Sequence, residues 1–315
     1  MKLRVLFTAL VLHTALAGAQ KLTFVPQWTP QSQFAGYYVA KEKGFYSDEG
    51  LDVMIRHVTA NSNETPMDIL MSGGAQIVGQ QLFQSIQHRS GGDRIVNVMQ
   101  LTHKNGLCCV GRGPVASFKD LDGKRVCKWL IGYAEICEIL EKMENVNIDW
   151  QPCFSLVNLY VSGAVDASLC YSYSELLQLD LATGGIPEEN IIRFSDYPTL
   201  NIPEDGLYVT EQYYKANRET VEKFVRASMR GWDYAREHID EALEISWKYV
   251  TENNIVTNHT LERRMLEEYL SLQVNPRTGK PDYAPVSQEG FKAIVAGMLD
   301  KGAIQNPVEY KDFVK

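Results

Sequence analysis

Between residues 21 and 102 the chain repeats one cycle: an apolar strand, a helix opened by a capping residue, a glycine stop, and another strand. KLTFVPQW (21–28) reads as the first strand. Thr29 then stands at an N-cap position with Pro30 at N1, where its missing N–H costs nothing. Gly44 ends that helix, Gly50 ends one further turn, and Leu51, Val53 and Ile55 alternate like a strand. TPMDILMSGG (65–74) repeats the device with Thr65, Pro66, Asp68 and Gly73. AQIVG (75–79), QQLFQSIQHRSGG (80–92) and RIVNVMQLT (94–102) follow as strand, helix and strand. Strands alternating with helices in this way call for an α/β fold, a mostly parallel sheet with helices on its faces.

After the loop HKNG (103–106) a second series begins: LCCVGR, KRVCKW, the helix GYAEICEILEKMEN, WQPCF, the helix SLVNLYVSG, AVDASLCY, and a helix over 174–183. Both series contain a helix that ends in Ser-Gly and runs into a strand of small residues, MSGGAQIVGQ (71–80) and VSGAVDASLC (161–170). This echo suggests two lobes built alike. Residues 191–210 return through proline-rich turns to a strand, and the remainder reads as helical. In the first of those helices Val221, Phe224, Val225, Met229, Trp232 and Tyr234 lie mostly on one face at helical spacing, so it packs on a core. The expected division is lobe I over 20–104 and 203–315 and lobe II over 105–202, with crossings near 103–107 and 196–205 as a hinge.

Composition narrows what such a chain can serve. Residues 1–20, MKLRVLFTALVLHTALAGAQ, have a basic start at Lys2 and Arg4, an apolar stretch, and small residues at Ala17 and Ala19. That is the build of a secretory leader cleaved near Ala19, and its apolar run is short of the ~20 residues needed to span a bilayer. The mature chain is therefore expected outside the cytoplasm, in the periplasm. A formal net charge of −8 argues against a nucleic-acid or anionic-membrane surface, since both need clustered Lys and Arg. The six cysteines fall between 108 and 170 at spacings that fit no zinc pattern. They are expected as buried thiols, with one disulfide as the alternative an oxidising compartment opens.

The stretches WTPQSQFAGYYVAKEKGFYSDEGLDV, SGGAQIVG, LDGKRV, SGAVDASLCYSYSEL and EDGLYVTEQYYKANRETVEKFVRASMRGWDYA resemble the solute-binding proteins of ABC importers for thiamine pyrimidines, riboflavin, nitrate and alkanesulfonates. The resemblance covers about residues 22–250. It implies the type II periplasmic binding fold, two α/β lobes joined by two crossing segments, with a ligand clamped between them. It also implies a membrane permease as partner, a monomeric chain and no cofactor. The same fold houses a fungal enzyme that makes the thiamine pyrimidine from its own histidine and pyridoxal phosphate. Where that enzyme has a lysine and, four residues later, a histidine, this chain has Gln81 and Ser85, so no Schiff base is expected. A sensor module handing its closed form to a membrane kinase is a further alternative.

In α/β lobes the ligand site lies beyond the carboxyl ends of the strands. In the first lobe this selects Trp28, Gln33 and Phe34 after the first strand and Gln80 and Gln81 after AQIVG. In the second it selects Lys128, Trp129 and Tyr133 after KRVC, and Tyr171, Tyr173 and Glu175 after VDASLC. Asp205 stands near the return crossing. Amides that donate and accept, beside aromatic rings, suit a flat polar ring better than a bare anion. Scaffold readings compete: Trp129 and Tyr173 as core, Gln80 and Gln81 as helix caps, Glu175 as a first-turn carboxylate favoured by the helix dipole. Phe34, Tyr37 and Tyr38, at the front of the first helix, read mostly as scaffold. No catalytic set and no metal site is expected from the spacings.

Overall fold

A computed structural model describes residues 19–59, 64–130 and 133–315; the expected leader over 1–19, Ala19 apart, lies outside the described residues. In chain order the elements are β1 (Gln20–Val25), α1 (Ala35–Glu42), α2 (Phe45–Asp48), β2 (Leu51–Ile55), α3 (Pro66–Met71), β3 (Ile77–Gln81), α4 (Leu82–Ser90), β4 (Ile95–Gln100) and β5 (Leu107–Gly111). There follow β6 (Arg125–Trp129), α5 (Ala134–Glu144), β7 (Asp149–Cys153), α6 (Leu156–Val161), β8 (Ala167–Tyr171), α7 (Glu175–Thr183), β9 (Ile191–Arg193) and β10 (Asp205–Thr210). The chain then runs through α8 (Glu211–Ala216), α9 (Arg218–Glu237), α10 (Ile239–Glu252), α11 (His259–Leu272), a short β11–β12 hairpin (Val274–Asn275, Lys280–Pro281), α12 (Gln288–Asp300) and α13 (Tyr310–Phe313).

Two five-stranded sheets result, ordered β2-β1-β3-β10-β4 and β7-β6-β8-β5-β9. In each, the strand fed by a crossing segment runs antiparallel to both neighbours: β10 between β3 and β4, β5 between β8 and β9. The Ser-Gly echo is a structural repeat. Phe24 pairs with Ile77 in one sheet and Val126 with Ala167 in the other. One residue earlier, the Thr23 N–H donates to Gln76 Oε1 (2.8 Å) and the Arg125 N–H to Asp166 Oδ2 (2.9 Å), the same bond at the same place in both lobes. α3 carries its full capping box, with Thr65 and Asp68 exchanging side-chain and backbone bonds and Pro66 in the first turn.

The start of the first helix differs from expectation. Thr29 and Pro30 precede the helix rather than cap it; residues 26–31 form a loop, and one 3₁₀ turn over Ser32–Phe34 leads into α1. The donor that Thr29 was expected to satisfy is met from afar, because Glu262 on α11 accepts the Ser32 N–H at 2.7 Å. Tertiary packing thus sets where the helix begins. α1 crosses α9 at Gly36 and Gly231, close enough that a Cβ on Gly231 would lie 2.0 Å from the Gly36 carbonyl oxygen. Around this crossing Tyr37, Tyr38, Phe224, Trp232 and Tyr269 form the core of the first lobe. No helix among the described residues is long and apolar enough to cross a membrane.

Candidate functional site

β3 and β8, the equivalent third strands, end on Gln81 and Tyr171, and these side chains meet between the lobes: the Gln81 amide donates to the Tyr171 hydroxyl. Tyr133, at the start of α5, brings its hydroxyl within 2.7 Å of the same oxygen. The rings continue the line. Trp129 lies 4.4 Å from Tyr133 and 5.2 Å from Tyr171 between centroids, Tyr171 stacks on Tyr173 at 5.0 Å, and Tyr173 meets Tyr269 edge-on at 5.2 Å. Burial raises the phenols of Tyr171, Tyr173 and Tyr269, so each stays protonated and available as a donor.

Behind the rings lies a carboxylate pair. Glu204 and Asp205 are consecutive and both buried, where the return crossing becomes β10. Glu204 Oε1 accepts the Gly106 N–H from the other crossing at 2.6 Å, and its Oε2 accepts the Tyr173 hydroxyl at 3.3 Å. Asp205 Oδ2 accepts from the Gln33 amide at 2.8 Å and from the Tyr269 hydroxyl. Backbone bonds lock the pair in place: the Glu204 N–H reaches Thr102 Oγ1 (2.8 Å), and the Leu82 and Leu101 N–H groups donate to the carbonyls of Glu204 and Asp205 (both 2.7 Å). Burial pushes both carboxyls up, and the neighbouring Asp205 charge raises Glu204 further; donated hydrogen bonds pull the other way. Glu175 is also raised by burial, against the pull of the Tyr171 N–H that donates to it at 3.1 Å.

Two small spaces remain between these groups. One, of about 30 Å³, is lined by Gln81, Asn105, Tyr133, Tyr171 and Glu204 among others, and holds a water or two rather than a ring. The other, of about 10 Å³, lies among Gln27, Phe34, Asp205 and Tyr269. There Gln27 Oε1 and Asp205 Oδ1, both acceptors, lack a protein partner. No Lys, Arg or His lines either space. The cleft is closed on its own aromatic side chains, and a bound ring would have to displace contacts of that stack.

The structure gathers Gln33, Gln81, Trp129, Tyr133, Tyr171, Tyr173 and Asp205 into one cluster. The other candidates stand around it. Trp28 is half exposed, and its carbonyl accepts from His57 Nδ1 at 2.7 Å. Phe34 is buried beside His57, its ring centroid 5.7 Å away. Gln80 is buried one residue back along β3, Lys128 places its ammonium 5.9 Å from the Trp150 ring of its own lobe, and Glu175 turns back onto the Tyr171 backbone. Gln80 and Gln81 lie in β3; Gln81 is also the N-cap residue of α4, but its side chain makes no capping bond and turns to Tyr171 instead. Glu204, Asn105, Gln27 and Tyr269 escaped the sequence reading. Glu204 had a signal, an acid beside Asp205 in a crossing segment, whereas Tyr269 sits within an ordinary amphipathic helix. Among the described residues no group of three or more His, Cys, Asp or Glu could hold a metal ion.

A family model described as NMT1/THI5 like matches residues 31–242. The chain belongs to this family. The chain is similar to the riboflavin-binding protein RibY of Chloroflexus aurantiacus, 26% identical over 83% of this chain and 75% of that protein. The formylaminopyrimidine-binding protein of Halalkalibacterium halodurans is 25% identical over 90% of this chain and 86% of its own length. The 4-amino-5-hydroxymethyl-2-methylpyrimidine phosphate synthase THI13 of Saccharomyces cerevisiae is 23% identical over 68% of this chain and 66% of that one. Among solved structures, the periplasmic aliphatic sulphonate binding protein SsuA of Escherichia coli superposes with a TM-score of 0.67 at 14% identity, over 93% of this chain and 96% of that chain. That likeness fixes the fold as the periplasmic binding type. The named binding proteins among these relatives support a solute-binding role.

Proposed function

We propose that the protein is an extracytoplasmic solute-binding component of an ABC importer that captures a flat nitrogen heterocycle of the riboflavin or thiamine-pyrimidine class between its lobes. One observation carries the choice of ligand: among the described residues, the two spaces in the cleft are lined by acceptors and aromatic faces and by no Lys, Arg or His. Asp205 Oδ1 and the Gln27 carbonyl oxygen lack a partner and call for N–H donors, while Trp129, Tyr171 and Tyr173 supply faces for a ring. A sulfonate or nitrate would instead want N–H groups or a guanidinium. The Gly106 N–H, a backbone donor beside these carboxyls, is already bonded to Glu204.

In this reading Gln33 and Gln81 read the ring edge from lobe I and Tyr133 and Tyr171 from lobe II. Trp28, Phe34, Gln80, Lys128 and Glu175 form the surround. Contacts from both lobes favour the closed state, which the permease recognises. The riboflavin-binding and formylaminopyrimidine-binding relatives support the class. Gln81 and Ser85, standing where the resembling synthase has its lysine and histidine, support binding over catalysis; Ser85 donates to the Gln81 carbonyl at 2.8 Å.

Isothermal titration against riboflavin, hydroxymethylpyrimidine, formylaminopyrimidine and taurine tests the proposal. Binding heat with one of the heterocycles and none with taurine is expected. Heat with taurine alone overturns the ligand class, and pyrimidine product on incubation with pyridoxal phosphate and iron overturns the binding role.

A further inference from the structure

All six cysteines lie in the second sheet and its helices, and one pair differs from the rest. Cys108 on β5 and Cys170 on β8 are direct register partners on neighbouring antiparallel strands. On either side of them the Ser172 N–H donates to the Gly106 carbonyl (2.8 Å) and the Arg112 N–H to the Asp166 carbonyl (3.0 Å). By alternation, residues 108 and 170 form a hydrogen-bonded pair, whose Cα atoms stand about 5.5 Å apart. That falls within the roughly 4.4–6.8 Å at which a disulfide closes without backbone movement. The two Sγ atoms are already 3.4 Å apart, and both side chains are buried. Among the remaining cysteines Cys127 and Cys153 also neighbour each other, but they are not register partners. Cys127 donates to Ser168 Oγ at 3.1 Å, Cys109 packs in a separate cluster, Cys137 lies on α5, and Cys153 pairs in register with Trp129.

We propose that Cys108 and Cys170 are a cross-strand disulfide site, closed when the chain folds in an oxidising compartment. The proposal rests on the extracytoplasmic part of the reading above. The oxidant is a dithiol–disulfide carrier, either an oxidoreductase or glutathione disulfide. One cysteine thiolate attacks a sulfur of the carrier's disulfide and releases a carrier thiolate. The second cysteine thiolate then attacks the protein sulfur of the mixed disulfide, closing Cys108–Cys170 and releasing the carrier's other sulfur as thiolate. Two thiol protons are lost and two electrons pass to the carrier. Burial raises the Cys170 thiol well above its ordinary range, so the exchange belongs to the stage before the sheet packs, and the closed bond is shielded afterwards. The bond ties the strand that enters lobe II to the strand ending on Tyr171, next in sequence to Cys170 and central to the cleft.

The test is a thiol count on full-length protein refolded in a glutathione redox buffer, then denatured and alkylated without reductant. Four of the six thiols should label, and peptide mapping should join Cys108 to Cys170. In Cys170→Ala all remaining thiols should label. Reductant should lower the thermal midpoint of the wild type by about 5–10 °C and leave Cys108→Ala/Cys170→Ala unmoved. Full labelling of the refolded wild type, a linked peptide joining another pair in its place, or an equal reductant effect on both proteins overturns the site. Because the protein is refolded in vitro, this count is independent of export. Cell fractionation, by contrast, tests export and leaves the count unchanged.

Discussion

Gln81 and Tyr171 are the last residues of equivalent strands in the two lobes, and they are hydrogen-bonded to each other across the cleft. The repeat that builds the lobes thus delivers one amide and one phenol to the same point from opposite sides. Tyr171→Phe removes the oxygen shared by Gln81 and Tyr133 while keeping the ring that stacks on Tyr173. The Gln81 amide is then left unpaired in the closed form, a cost of about 1–3 kcal/mol. The expected outcome is a larger open fraction, read as a raised radius of gyration in small-angle scattering without ligand, and weaker binding of whichever heterocycle the wild type holds. An unchanged radius and affinity would show that this bond does not hold the lobes together.

The α1–α9 crossing should tolerate no side chain at its closest point. A Cβ at Gly231 would lie 2.0 Å from the Gly36 oxygen, and one at Gly36 would lie 2.1 Å from Trp232 Cδ2. Backbone cannot yield as a flexible side chain does, so Gly231→Ala should cost about 3 kcal/mol or more, at the upper end for overpacking. Chemical denaturation measures it, and a loss under about 1 kcal/mol would mean the helices slide apart at little cost.

The fold was more legible than the site, for a physical reason visible in particular residues. Thr65, Pro66, Asp68 and Gly73 act within one turn, and the structure keeps their roles because nothing distant competes with them. Thr29 and Pro30 carry the same local signal, but a carboxylate more than two hundred residues away takes the donor, and the helix begins later. The cleft behaves like Thr29. Strand-end logic found Gln81, Tyr171 and Tyr173, since a third strand points its last side chains at the other lobe. Tyr269 reaches the cleft only because α11 packs against the 3₁₀ turn that leads into α1, and no spacing within α11 announces that. Lys128 shows the converse: its place at a strand end is correct, but its ammonium leans over a ring of its own sheet.

The buried pair Glu204–Asp205 should give the protein a pH dependence opposite to that of an ordinary surface carboxylate. Both carboxyls are raised by burial, and Glu204 also by Asp205, so the folded form holds protons that the unfolded chain gives up near pH 4. The stabilisation is fully present below the unfolded values and is lost as pH rises through the folded ones. Glu204→Gln keeps an acceptor for the Gly106 N–H and removes the charge. The difference in stability between variant and wild type should therefore move in the variant's favour as pH rises above about 4. Urea denaturation across the range measures it, and a difference independent of pH would place both groups in contact with solvent.

His57 should act in the reverse sense over an overlapping range. Its Nδ1–H donates to the Trp28 carbonyl at 2.7 Å, which fixes the tautomer and leaves Nε2 to accept the Tyr38 hydroxyl at 2.9 Å. The ring thereby ties the loop carrying Trp28 to α1. Burial lowers its pKa to about 4, with the Trp28 carbonyl opposing the shift. The unfolded chain binds this proton from about pH 6.5 downward while the folded form refuses it, so stability falls as pH falls from about 6.5 towards 4. Replacement by Gln removes the titration and retains an amide within reach of the same two partners. Stability measured on His57→Gln should decline less on acidification than that of the wild type, and Trp28 fluorescence should lose any transition in this window. Combining His57→Gln with Glu204→Gln separates the opposing slopes, since the two groups share no hydrogen-bond partner and their effects should add. Equal acid sensitivity in His57→Gln and the wild type would show that the proton enters the folded ring without disturbing the loop.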